Sequence, residues 1–138
     1  MSDSLSYVRL RDGFNLDFDL LVNGLSLRAM VDNSQLASRF AVEQKAIDPY
    51  DVVTDFMGSS QASHGRMPLF VCPMCGDIGC GAVTLKIERQ DHVIIWSDFR
   101  YQTSMSVEDT EHYYSQVGPF TFDIGQYKAV IESLLDEH

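Results

Sequence analysis

The sequence predicts an α+β fold, an antiparallel sheet with helices packed chiefly on one face, and three observations carry that prediction. Apolar residues alternate at period two in several short runs, turn-forming dipeptides separate those runs, and the C-terminal segment repeats apolar side chains at helical spacing.

The first run is Phe14, Leu16, Phe18 and Leu20, interleaved with Asn15, Asp17 and Asp19, which puts the apolar side chains on one face of a strand. Asn23-Gly24 accepts the positive φ angles of a tight turn, and Leu25, Leu27 and Ala29 resume the alternation, so a hairpin is predicted over roughly residues 14 to 31. Asp32, Asn33 and Ser34 are helix-capping residues, and Leu36 and Phe40 lie one turn apart, which predicts a helix near 34 to 45. Asp48-Pro49 repeats the start signal, and Val52, Val53, Phe56 and Met57 form an apolar stripe closed by Gly58. The polar stretch from 58 to 68 reads as a mobile connection. "LFVC" then reads as a strand, Val83, Leu85 and Ile87 mark a second, and "HVIIWSDF" a third after Gln90-Asp91, giving an antiparallel meander. Residues 101 to 118 read as a long loop with at most a short helix. "FTF" makes a brief strand, and Asp123 with Gln126 has capping-box spacing ahead of Ile124, Tyr127, Val130, Ile131, Leu134 and Leu135, an amphipathic helix.

The chain has 138 residues, the size of a single domain spanning 1 to 138, and its 45% hydrophobic and 22% charged residues are those of an ordinary globular protein. Its N-terminus lacks the pattern of a secretory signal and no segment reaches the roughly 18 apolar residues of a membrane span, so the expected setting is cytoplasmic, with no membrane partner. The formal charge of -10 disfavours nucleic acid and anionic lipid. Between Arg100 and Lys128 there is no Lys or Arg, whereas Glu108, Asp109, Glu111 and Asp123 fall in that interval. Such a surface steers a basic partner. The plain alternative is that net charge serves solubility.

All three cysteines lie in "VCPMCGDIGCG", residues 71 to 81. Cys72, Cys75 and Gly76 resemble the CPxCG knuckle of zinc ribbons, in which a tight turn aims two thiolates at one ion, but a ribbon's second CxxC is absent. Cys80 is the candidate third ligand and His92 the fourth, with His64 as a substitute, so the cofactor reading is structural zinc or none. A redox dithiol is a second reading, and Gly76, Gly79 and Gly81 oppose the helix that lowers a thiol pKa in thioredoxin-like proteins. Packing of the cysteines as small hydrophobes is a third. The string "PLFVCPMCGDIGCGAVTLKIER", with "VIIWSDF" and "GPFTFDIGQY", is similar to a group of small uncharacterised bacterial proteins with a CPxCGDxGCG core. That resemblance covers the C-terminal half, implies no established activity, and points to Cys72, Cys75, Gly76, Asp77, Gly79, Cys80 and Gly81 as the residues defining the turn.

A cysteine nucleophile would need a base from His64, His92, His112 or His138, which spacing does not place, and no phosphate-binding glycine loop is present. Size, charge and the lack of a catalytic set favour a non-catalytic acidic binding protein. Its profile resembles, by charge and size, bacterial immunity proteins that neutralise a basic toxin domain. Asp48, Asp51, Asp55, Glu108, Asp109 and Glu111 are the candidate partner contacts. The rival is a small thiol-redox or metal-dependent enzyme centred on Cys72, Cys75 and Cys80.

Overall fold

Alternating apolar side chains build strand β2 (Asn15–Val22), whose Phe18, Leu20 and Val22 face inward and are fully buried. The structure, a computed structural model, describes residues 2–12, 15–32, 36–38, 40, 49–58, 66–72, 80–104 and 106–137. Strand β1 (Leu5–Asp12) pairs with β2 antiparallel from Leu5↔Val22 to Asp12↔Asn15, and β2 pairs on its other side with the two-residue β3 (Leu25–Ser26). The expected pairing across Asn23-Gly24 therefore forms over two residue pairs only, and the longer N-terminal hairpin is β1–β2. That turn does form, with φ of 54° at Asn23 and 82° at Gly24. The second arm then ends early, because the Ser26 side chain accepts the Ala29 N–H and caps a single helical turn, α1 (Leu27–Met30).

The second sheet has six strands among the described residues. β4 (Ala37–Ser38), β5 (Arg66–Val71), β6 (Ala82–Gln90), β7 (Val93–Gln102) and β8 (Thr110–Tyr113) lie in that order, and β9 (Phe120–Asp123) also pairs with β7. All of these pairings are antiparallel, which makes the fold α+β. Residues 37 and 38 are strand where a helix was expected, since they pair with Phe70 and Val71 of β5; the remainder of that predicted helix lies largely outside the described residues. Residues 66 to 68 likewise belong to β5 rather than to a connection. The expected long loop holds a single 3-10 turn, Val107–Asp109, leading into β8.

Helix α2 (Pro49–Phe56) starts at the expected proline, and Gly58 follows it at a φ of 73°. Helix α3 (Ile124–Asp136) is capped by Asp123, whose carboxylate accepts the Gln126 N–H at 3.0 Å. The Gln126 side chain does not complete the capping box. It bonds both backbone groups of Leu5 instead, accepting N–H at 3.3 Å and donating to C=O at 2.7 Å. Tyr7 adds a bond to Ser133 at 2.7 Å, so α3 holds the small sheet against the large one.

One apolar cluster runs through both sheets and α1, α2 and α3, from Leu5, Phe18 and Leu20 of the small sheet to Val83, Leu85 and Phe99 of the large one. Trp96 is its centre, edge-on to Phe122 at 5.2 Å and Tyr127 at 5.8 Å, with Phe56 at 6.3 Å. Such pairs add about 0.5–1.5 kcal/mol each beyond area burial. Its indole N–H donates to the Tyr127 hydroxyl at 3.1 Å, and that hydroxyl donates to the Phe56 carbonyl at 2.5 Å.

Candidate functional site

The sequence-predicted partner contacts separate into two places. Ser106 caps the 3-10 turn by accepting the Glu108 N–H, which leaves the Glu108 side chain in solvent. Asp109 accepts from the Ser104 hydroxyl and, through its carbonyl, from Thr103 N–H, so the turn is pinned at both ends. Glu111 follows on β8, where residues 111 to 113 are all exposed although their side chains point alternately to both faces. β8 is the last strand of the sheet, and one side of its backbone has no strand partner among the described residues. Val107 and Tyr113, 51% exposed each, flank the acids. Asp55 is half-buried on α2, away from this edge; Asp51 belongs to α2 by its backbone, and Asp48 lies outside the described residues.

The candidate metal ligands do not all converge. Cys72 follows β5 as a half-buried free thiol, Cys80 is exposed and disulfide-bonded, and Cys75 lies outside the described residues, as do Gly76, Asp77 and Gly79. A sulfur in a disulfide is not a thiolate ligand. His92 sits in the β6–β7 turn, beyond the far end of nine-residue β6 from Cys80, which puts the two roughly 30 Å apart along the strand. The structure therefore places His92 and Cys80 at opposite ends of β6; the His92 carbonyl accepts the Ile124 N–H at the start of α3. Among the described residues no three His, Cys, Asp or Glu side chains cluster as metal ligands would. His64 and His138 lie outside the described residues. His112 is exposed and stacks edge-on against Tyr114 at 4.6 Å. Burial raises the Tyr114 hydroxyl above the usual tyrosine pKa, with Tyr101 and Asp32 pushing the same way.

Gly81 ends the cysteine segment at a φ of 96°, and a Cβ there would fall 2.0 Å from the Tyr101 hydroxyl. Glycine is required twice over, by the backbone angle and by that close approach.

Sequence reasoning missed a buried polar cluster on the face of the large sheet opposite the core. Arg66 is 3% exposed; it donates from Nη1 to the Asp98 carboxylate at 2.9 Å and from Nη2 to Thr84 Oγ1 at 2.8 Å and the Asp98 carbonyl at 2.9 Å. Its Nε reaches Gln102 Oε1 at 3.1 Å, and the Gln102 amide donates to the Ser106 carbonyl at 2.9 Å. The other Asp98 oxygen accepts from Arg100 Nε at 2.7 Å, and Arg100 lies over the Tyr113 ring at 4.9 Å. Asp98 reaches both arginines because β7 bulges there. Lys86 pairs with Ser97 and Thr84 with Arg100, so Asp98 and Phe99 together oppose Leu85, and Asp98 takes a φ of 57°. Burial pulls the Arg66 guanidinium below its usual pKa; Asp98 opposes this and Arg100 adds to it. No period or dipeptide signals this cluster, because its members come from three strands.

Comparison with protein-family models, with curated proteins and with solved structures finds no match to this chain.

Proposed function

We propose that the protein is a non-catalytic acidic binding protein whose 3-10 turn and β8 edge dock a basic protein. The observation that supports this reading most is the coincidence of two surface features. Of the five large apolar side chains exposed among the described residues, Val107 and Tyr113 flank Glu108, Asp109 and Glu111, within an interval free of Lys and Arg. Exposed apolar side chains beside clustered acids are the makeup of an interface that uses burial for affinity and electrostatics for steering, and Arg100, stacked on the Tyr113 ring from β7, borders the patch. A cytoplasmic bacterial immunity protein covering a basic toxin domain is the finer form of the proposal, resting on charge and size.

The test is capture of partners from the native cells by wild-type protein and by a Glu108→Lys, Asp109→Lys, Glu111→Lys variant, at low and high salt. A basic protein retained by the wild type, released by salt and lost by the variant supports the reading. Equal retention by both refutes it.

A second reading is favoured by the contrast between free Cys72 and disulfide-bonded Cys80. In a reducing compartment a disulfide is rare unless it is transient or catalytic, so a cytoplasmic chain holding one suggests thiol–disulfide exchange in the segment that resembles the CPxCGDxGCG proteins. Thiol counting before and after reduction, with metal analysis of protein purified without chelator, distinguishes exchange, zinc binding and inert packing.

A further inference from the structure

We infer that the outer face of the large sheet holds a small-oxyanion site, for a carboxylate or a phosphate, formed by Lys86 and Arg100 over the Arg66–Asp98 pair. Lys86 stands directly across β5–β6 from Arg66 and across β6–β7 from Ser97, so its side chain shares their face, and cross-strand neighbours are about 5 Å apart at Cβ. Two arginines thus meet the Asp98 carboxylate, and Lys86 stands beside them on a face that also carries Glu88. Both Asp98 oxygens are already engaged, one by each guanidinium. Lys86 is half-buried and makes no ion pair among the described residues, and exposed Glu88, the next side chain on that face, does not pair with it. Arg100 donates from Nε and Nη1, to Asp98 and Thr110, while its Nη2 makes no hydrogen bond to the described residues.

An excess of positive charge is the reverse of what a chain of net charge -10 offers elsewhere. Like charges packed on a partly desolvated face repel, and that repulsion is relieved when an anion enters. The left-handed backbone at Asp98 is a further local cost, and strain of this kind collects where a side chain must be aimed. Here it aims one carboxylate between two arginines, which fixes their remaining donors. Arg66, with a side chain 4% exposed, is the buried base of the site; Lys86 and Arg100, the latter 26% exposed, are the groups that reach the ligand. At ordinary ionic strength the repulsion from distant acids is screened beyond about 10 Å, so the local excess decides.

The test is an amide-resolved NMR titration of the whole chain with inorganic phosphate and, separately, acetate, at constant ionic strength set with chloride. The expected result is saturable shifts at residues 84 to 86 and 97 to 100, with the tighter of the two anions defining the ligand chemistry. Lys86→Met and Arg100→Gln each weaken binding about tenfold, the loss expected for one charge-assisted contact, while Lys128→Met on α3 leaves it unchanged. Absence of saturation at those amides up to about 100 mM of either anion, where chloride screening is matched, overturns the site. So does saturation with the same affinity in both variants, which would place the anion elsewhere. The wild-type titration decides even if a variant loses its fold.

Discussion

Asp98→Asn isolates one charge without disturbing the backbone, since Asn tolerates a φ near the observed 57° as well as Asp does. The Arg66 side chain is 4% exposed and Asp98 is its only anionic partner among the described residues, so the substitution leaves a guanidinium with little water and no counter-charge. Breaking a buried pair by removing one partner costs about 3–5 kcal/mol. Two features reduce that figure: Asp98 is 25% exposed, and Arg66 keeps its bonds to Thr84, Gln102 and the Asp98 carbonyl. A loss of about 3 kcal/mol is the expected outcome, a large fraction of the roughly 5–15 kcal/mol that stabilises a domain. Urea unfolding followed by the fluorescence of Trp96, the single tryptophan, reads it directly. Adding Lys86→Met to the variant restores part of the loss, because it removes the cation that stands directly across β5–β6 from Arg66. A loss below about 1 kcal/mol at unchanged denaturant slope would show that Asp98 does not neutralise Arg66, and would remove the charge argument for the outer face with it.

Tyr127→Phe deprives the Trp96 N–H of its acceptor and the Phe56 carbonyl of one donor, so unfolding free energy should fall by about 2–4 kcal/mol; a loss under about 1 kcal/mol would contradict the geometry. Burial raises the Tyr127 pKa well above the ordinary 10.0, with only the Trp96 hydrogen bond opposing. The folded state therefore holds this proton where the unfolded state releases it, and stability, complete below pH 10, should fall as pH rises above that value, less steeply in the Phe variant. Gly81→Ala should cost about 3 kcal/mol or more through its contact with Tyr101 and its positive φ, and shortening Tyr101 to Leu in the same chain should recover the steric part alone. Val107→Ser with Tyr113→Ser should lower the unfolding free energy by no more than about 1 kcal/mol, the size of the lost Arg100–Tyr113 contact, while weakening capture of the basic partner; unimpaired capture would exclude these side chains as anchors.

The elements read correctly from sequence are those whose cause is local. Asn23-Gly24, Pro49, Gly58 and the Asp123 cap act within one turn of backbone, and each does in the structure what its chemistry predicts. β1 was not legible as a strand because its alternation runs the opposite way from the usual: Val8 and Leu10 face solvent, while Tyr7 and Arg9 turn toward α3, where Arg9 pairs with Glu137. Its inward face is defined by a helix more than a hundred residues away. β4 is held by partners distant in sequence, Phe70 and Val71 beside it and Asp17 of β2, which accepts from the Ser38 N–H and hydroxyl. The placing of His92 was partly legible, since the alternation of Val83, Leu85 and Ile87 already puts a strand between it and Cys80. The acidic edge could be read as composition but not as an edge, and the Arg66 cluster depends on a bulge at Asp98 that leaves no trace in spacing.

The bonds from Gln126 to Leu5, separated by 121 positions, have a consequence for biosynthesis. The first strands leave the ribosome long before the helix that secures them, so they must wait, with an unsecured edge, until residues 124 to 136 have emerged. Pairings this distant in sequence are slow to close and expose sticky strands meanwhile. Ribosome-stalled chains ending before residue 124 should accordingly be protease-sensitive from the first strand onward, and chains in which α3 has fully emerged should gain protection of β1 and α3 together.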